Sequence, residues 1–295
     1  MTRNLSWRGR ERLAAALFLL PAVAGILLLR IYPIGSSLLL GLTETKLLGG
    51  SEFVGLANYV AALTRPELYR VIFNSAYFAF GSQFLTLIVG LMFAVALNTR
   101  LRAIGLYRFI FFFPFVTTWT AVALVWQWFL STEVGTVNLF LARFGIAPVP
   151  WLTSPRYAML AVIIVFTWKA FGYKMVILLA ALQGIPEEYY EAANIDGGSR
   201  VQVFFRIVLP LITPAIFFAI VAGIINSLQV FDPIFIMTEG GPARATTTIG
   251  YFIYERGFRT FEFGYAAAVS WILFILILLL TLGQWRLQRR WVFYG

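Results

Sequence analysis

The chain has 295 residues, of which 60% are hydrophobic, 17% aromatic and only 12% charged, with 23 Lys plus Arg against 13 Asp plus Glu for a net charge of +10. Soluble domains carry about 25% charged residues, so most of this chain must lie in lipid. It has no cysteine and no histidine, which excludes a disulfide framework and thiolate metal sites and removes the commonest metal ligand and general base.

Six apolar runs follow in chain order, at about 13–34, 71–97, 106–130, 157–182, 207–231 and 264–285. Each can cross a hydrocarbon core of about 30 Å as a helix. Backbone polar groups in lipid need internal partners, and the runs lack the alternation of an outer-membrane barrel. They therefore predict an all-α polytopic membrane protein with six transmembrane helices: a segment 1–12, a six-helix body 13–285 with its core at 71–285 and a loop at 184–206, and a tail 286–295. The first run follows Arg3, Arg8, Arg10 and Arg12, and Ala22-Val23-Ala24 has the look of a signal cleavage site. Its apolar character continues through Leu29 to Ile34, too long for a cleaved signal and right for a membrane anchor. Pro21, Pro114 and Gly172 are expected to kink or loosen their helices without breaking them. Thr117, Thr118 and Thr120 with Trp119 in the third run are weak polar candidates, since threonine readily satisfies itself on its own helix.

In the fourth run Phe166, Lys169, Ala170 and Tyr173 fall at i, i+3, i+4 and i+7, one face of a helix. Polar groups inside a membrane are costly and mark candidate substrate pathways. Lys169 can hydrogen-bond hydroxyls or attract an anionic solute on such a path; alternatively it pairs with Asp232 or snorkels.

The loop after the fourth run reads Gln183-Gly184-Ile185-Pro186-Glu187-Glu188-Tyr189-Tyr190-Glu191-Ala192-Ala193-Asn194-Ile195-Asp196-Gly197-Gly198-Ser199. Pro186 suits a first helical turn, Glu187 and Glu188 complement the positive end of the helix dipole, and Gly197 can take a left-handed cap. Ser199 with Gln202 three residues on forms a capping box that starts a second helix leading into the fifth run. Small Ala192 and Ala193 beside Glu191 permit close approach by a partner, and an acidic side chain can pair with a partner's arginine. An ordinary interfacial connector, with Tyr189 and Tyr190 at headgroup depth, accounts for the same composition. In the fifth run Asn226, Ser227 and Gln229, with Asp232 at the outer end, form a second polar cluster suited to carbohydrate recognition or to interhelical hydrogen bonding.

Counting Lys plus Arg in alternate loops orients the chain. Arg3, Arg8, Arg10, Arg12, Arg100, Arg102, Arg108, Arg200, Arg206, Arg286, Arg289 and Arg290 fall on one side. Lys46, Arg65, Arg70, Arg143, Arg156, Arg244, Arg256 and Arg259 fall on the other, spread over longer loops that also carry acidic residues. Both termini are thus expected in the cytoplasm. The positive charge is mainly topological, which leaves nucleic-acid binding without motivation.

Glu191-Ala192-Ala193, Asp196-Gly197, Ile207, Leu209-Pro210 and Pro214 resemble the EAA loop of ATP-binding-cassette importer permeases. Thr238-Glu239-Gly240-Gly241-Pro242 with Thr246-Thr247-Thr248, Gly264-Tyr265-Ala266-Ala267-Ala268, and Trp151-Leu152, Trp168 and Ala181 to Pro186 resemble the carbohydrate branch, of maltose and glycerol-phosphate type. Gly198 departs from the alanine usual there. The resemblance implies a type I importer permease fold in the cytoplasmic membrane, with Glu191, Ala192, Ala193, Asp196 and Gly197 forming a coupling helix that docks in a groove of an ATPase. It further implies a second homologous permease, two ATPase subunits and an extracytoplasmic solute-binding protein as partners, and a sugar, polyol or glycerol phosphate as cargo. The face of Phe166, Lys169, Ala170 and Tyr173 corresponds to pathway positions in maltose-type permeases, though an aromatic and a lysine stand where the maltose permease has amide or aliphatic residues. No Walker-type G-x-x-x-x-G-K-[S/T] occurs, so no cofactor is expected in this chain, ATP and Mg being bound by the ATPase partner.

The competing class is an ion-coupled secondary transporter, which would usually show paired intramembrane carboxylates. No acidic residue lies deep in any run. A membrane enzyme would depend on loop carboxylates that lack metal or acid–base spacing.

Overall fold

The structure, a computed structural model, describes residues 7–45, 50–99 and 103–293. Arg3, Lys46, Arg100 and Arg102, counted above for orientation, lie outside the described residues, as do the side chain of Arg10 and the ends of the proposed terminal segments at 1–6 and 294–295.

The first run is helical from α1 (Trp7–Ile26) through a π-helical stretch at Leu27–Ile31 into α2 (Tyr32–Gly41), continuous past Pro21. Two short strands, β1 (Thr43–Thr45) and β2 (Ser51–Phe53), pair antiparallel and lead to α3 (Ala57–Thr64). In α4 (Pro66–Ala96) Pro66 occupies the first turn, where its missing N–H leaves no bond unmade, and Glu67 complements the helix N-terminus. The second span therefore starts before the apolar run does.

The third run departs from expectation. α5 (Ile104–Val116) and α6 (Trp119–Phe129) meet at 94°, so the helix breaks rather than kinks. The turn lies at Thr117 and Thr118, both extended with ψ of 153° and 142°, three residues beyond Pro114. Pro114 offers no N–H to the preceding turn, and the carbonyls of Pro114, Phe115 and Thr117 take a donor from Lys169 in place of the next helical turn.

After α7 (Thr136–Ala142) comes α8 (Ala158–Gln183), unbroken at Gly172. The loop then folds as α9 (Glu187–Ile195) and α10 (Arg200–Val203), continuing through a π-helical stretch at Phe204–Val208 and α11 (Leu209–Leu211) to α12 (Thr213–Leu228). The chain bends by 63° between Arg200–Leu211 and Thr213–Leu228, with Pro210 and Pro214 in the first turns of α11 and α12. The chain closes with α13 (Asp232–Met237), α14 (Ile249–Tyr254), a π-helical stretch at Glu255–Arg259, and α15 (Phe263–Gln288). Among the described residues four helices are long and apolar enough to cross a membrane, and the two bent pairs bring the number to six.

The chain divides into two compact units, residues 1–64 with 253–272, and residues 65–252 with 273–295. In the first, Asn58 Nδ2 donates to the carbonyls of Gly41 and Thr43 at 3.0 and 2.9 Å, and Gly264 sits where any Cβ would run into the Thr43 carbonyl. In the second, α4, α5 and α8 pack through small residues. A Cβ on Gly90 would lie 3.0 Å from the Lys174 Cβ, and one on Gly172 would collide with the Phe111 carbonyl. Lipid tails are as apolar as leucine, so helices associate by such close backbone approach. One buried cluster ties Ala94 of α4 and Met175, Leu178 and Leu182 of α8 to Ala193, Val203 and Ile212.

Candidate functional site

A cavity of about 650 Å³ opens beside the middle of α8, within the second unit. Its wall brings together Phe166, Lys169, Ala170 and Tyr173 from α8, Asn226 at the end of α12 and Gln229 just beyond it, with Thr117, Thr118 and Trp119 from the helix break. The i, i+3, i+4, i+7 spacing in α8 is what turns its four residues to one side. Asn226 and Gln229, three apart, share a face and are exposed, whereas Ser227, one helical step of about 100° away, is fully buried and does not line the cavity.

Aromatic rings stand in stacked pairs along this wall. Phe115 lies on Tyr173 at 4.7 Å and 15°, and Trp119 on Phe166 at 5.5 Å and 20°. With the amides and hydroxyls around them they form the mixed lining that polyhydroxylated ligands use, ring faces for C–H surfaces and polar groups for hydroxyls.

Lys169 reaches across from α8 to the break. Its Nζ donates to the carbonyls of Pro114 at 3.0 Å, Phe115 at 2.8 Å and Thr117 at 2.7 Å, which uses all three ammonium donors. The Trp119 and Phe115 rings flank the cation at 5.0 and 5.8 Å. It therefore neither pairs with Asp232 nor snorkels. The negative end of the α5 dipole, a set of carbonyls without helical partners, is the counter-charge.

Asp232 of α13, read from sequence as the outer end of the second polar cluster, also lines the cavity, and sequence reasoning missed four further lining residues, Gln83 and Thr86 of α4, Lys174 of α8 and Gly223 of α12. The Lys174 ammonium donates to the Gln83 side-chain carbonyl, and the Gln83 amide donates to Ser227. Ser82 lies 3.3 Å from the Ser227 hydroxyl. Gly223 makes room for this arrangement, since a Cβ there would strike the Gln83 carboxamide. The signal available in sequence was a lone amide, Gln83, inside an apolar run, which by the cost of intramembrane polarity was itself a candidate.

The loop after α8 folds as its caps predict. Pro186 precedes α9, Gly197 takes φ of +71°, and the Ser199 N–H donates to Gln202 Oε1 at 2.9 Å while the Gln202 N–H donates back to Ser199 Oγ at 3.4 Å. The five residues singled out there divide. Glu191, Ala192, Asp196 and Gly197 are exposed, but Ala193 is 6% exposed and packs into the cluster under α9. Its small size serves the chain's own packing. Burial also pushes the Tyr190 phenol above its ordinary range. A second cavity of about 600 Å³, lined among others by Tyr189, Ala192, Asp196, Arg206 and Phe293, lies beside α9.

The Gly240–Thr248 segment is held in place by polar contacts. Asn74 Nδ2 donates to the carbonyls of Arg244 and Thr247 at 3.0 and 3.1 Å, Thr246 Oγ1 donates to Gly241 O at 2.7 Å, and Glu67 pairs with Arg244. Trp151 is fixed by its Nε1 donating to Asn138 Oδ1 at 3.0 Å.

Comparison with known proteins yields one family match and many relatives. The model described as "Binding-protein-dependent transport system inner membrane component" matches residues 86–292. The trehalose/maltose transport system permease protein MalF of Thermococcus litoralis is 34% identical over 290 residues, covering 98% of this chain and 97% of that protein. The lactose transport system permease protein LacF of Rhizobium radiobacter is 35% identical over 279 residues, covering 92% and 93%. Among solved structures, a bacterial alginate ABC transporter in complex with an alginate pentasaccharide-bound periplasmic protein matches with a TM-score of 0.83 at 25% identity, covering 95% of each chain.

Proposed function

Since the chain belongs to the binding-protein-dependent transport system inner membrane components, the permeases of ABC importers, we propose that it moves a sugar or sugar-like solute through the cavity beside α8. This membership rules out the ion-coupled carrier as the alternative. The observation that carries the cargo class is the cavity wall itself, where stacked aromatic pairs alternate with Asn226, Gln229 and threonine hydroxyls at the middle of a membrane-spanning helix. Relatives named for trehalose/maltose and lactose transport support the same class.

In this reading α9 is the coupling helix. Exposed Glu191 and Ala192 meet the ATPase, Gly197 and the Ser199 box hold the turn behind them, and Ala193 anchors the helix in the buried cluster it shares with α4 and α8. ATP-driven closure of two ATPase subunits, which hold ATP and Mg, pushes on α9 and rocks the spans so that the cavity faces one side of the membrane at a time. A second homologous permease completes the pathway, and an extracytoplasmic binding protein delivers the cargo. The Lys and Arg asymmetry supports cytoplasmic termini. The test is to purify the assembled complex and screen di- and oligosaccharides, polyols and glycerol phosphates for stimulation of its ATPase activity. A complex stimulated only by solutes outside these classes would overturn the cargo assignment.

A further inference from the structure

The two lysines on the cavity wall are compensated differently. Lys169 spends its three donors on three backbone carbonyls and is flanked by two rings. Lys174 is as deeply buried, at 4% exposure, but among the described residues its ammonium hydrogen-bonds only to Gln83, through the side-chain carbonyl and, at 3.5 Å, the backbone carbonyl. At least one of its three donors has no acceptor in the described residues. Asp232, the acidic residue that also lines the cavity, pairs with neither lysine. A cation held in a membrane-spanning helix without a counter-charge is costly, and an amide dipole offsets only part of that cost. Gln83 does not relax to solvate it freely, because its own amide is committed to Ser227.

We propose that Lys174 makes this cavity selective for sugars that bear an acidic group, the carboxylate of a uronate completing the ammonium's coordination while the Phe115, Trp119, Phe166 and Tyr173 rings take the sugar faces. The inference rests on the cavity being a sugar pathway. The chemistry follows from the difference between the two lysines. A hydroxyl would give Lys174 an acceptor but no charge, whereas a carboxylate gives both and supplies the counter-charge the buried cation lacks. The cavity volume lies within the roughly 300–1,000 Å³ typical of small-molecule sites.

The test uses the assembled transporter in nanodiscs and radiolabelled disaccharides in matched pairs, such as cellobiouronate and cellobiose. The uronate should bind at least about tenfold more tightly than its neutral parent. Lys174→Gln should erase that preference, read as the ratio of uronate to neutral-sugar affinity with folding checked separately by the thermal midpoint of the complex, and Lys174→Arg should retain it. Equal affinity within the pairs, or a preference that survives Lys174→Gln, overturns the inference and leaves the sugar reading standing. Should Lys174→Gln lose both ligands, loss of the uronate preference in a folded Lys174→Arg complex overturns it. Failure of every disaccharide to bind the folded complex counts against the sugar reading and takes the inference with it.

Discussion

The ammonium of Lys169 donates to the carbonyl of Thr117 at 2.7 Å, so a side chain of α8 closes the break between α5 and α6. That bond sits at the hinge of a 94° turn whose residues form part of the cavity wall. Lys169 is on this geometry a positioning residue: it fixes where Phe115, Thr117 and Trp119 stand.

Lys169→Met should therefore destabilise the wall. Hydrogen bonds to a charged group contribute about 1.5–3 kcal/mol each, with water in the cavity recovering part of the loss. We expect the thermal midpoint of the purified complex to fall by on the order of 5 °C, and the maximal transport rate to fall more than KM rises. A variant with an unchanged midpoint and a raised KM would instead make Lys169 a cargo ligand.

Gly172→Val places branched carbon against the Phe111 carbonyl, backbone that cannot step aside without moving α5. Overpacking of this kind costs about 1–3 kcal/mol. The expected result is a lower yield of folded protein in the membrane and a reduced thermal midpoint. Gly105→Ala, where an added Cβ meets nothing within 4 Å, serves as the neutral control.

Ser199→Ala removes one half of the capping box and should cost about 1 kcal/mol. Hydrogen exchange is the direct readout. The amide of Gln202 and its neighbours in α10 should exchange faster, while amides in the middle of α8 stay protected.

Glu191→Lys reverses an exposed charge on α9. Membrane insertion and thermal midpoint should be unchanged, with ATPase activity no longer stimulated by cargo. Gly197→Val strains a residue at φ of +71° by about 1–2 kcal/mol and should produce the same uncoupling with a small loss of stability. Normal transport by the Glu191→Lys complex would remove this residue from the coupling contact.

Much of the fold was legible because its determinants are short in range. The capping box at Ser199 and the left-handed Gly197 each act within about four residues and occur as read, while Pro186 stands at the N-cap, one residue ahead of the first turn it was expected to open. The shared face of Phe166, Lys169, Ala170 and Tyr173 follows from helical spacing alone. The break at Thr117 was not legible from Pro114, because the proline weakens one turn while the carbonyls that stay open depend on a lysine 52 residues away. Ala193 shows the same limit: a small residue beside Glu191 suits a partner's approach, and only its place in the buried cluster shared with α4, α8 and the chain after α9 turns it inward.

By itself the sequence determined that the chain lives in lipid as helices, which loop is capped into a helix–turn–helix, and which polar residues lie at membrane depth, since solubility and capping are properties of neighbouring residues. Tertiary structure alone decided which of those polar groups face one cavity, that Ser227 and Gln83 satisfy each other, and that Lys169 is spent on backbone while Lys174 is not. Those outcomes depend on which helices approach closely at Gly90, Gly172 and Gly223, and a buried charge takes whatever acceptor that packing brings within reach.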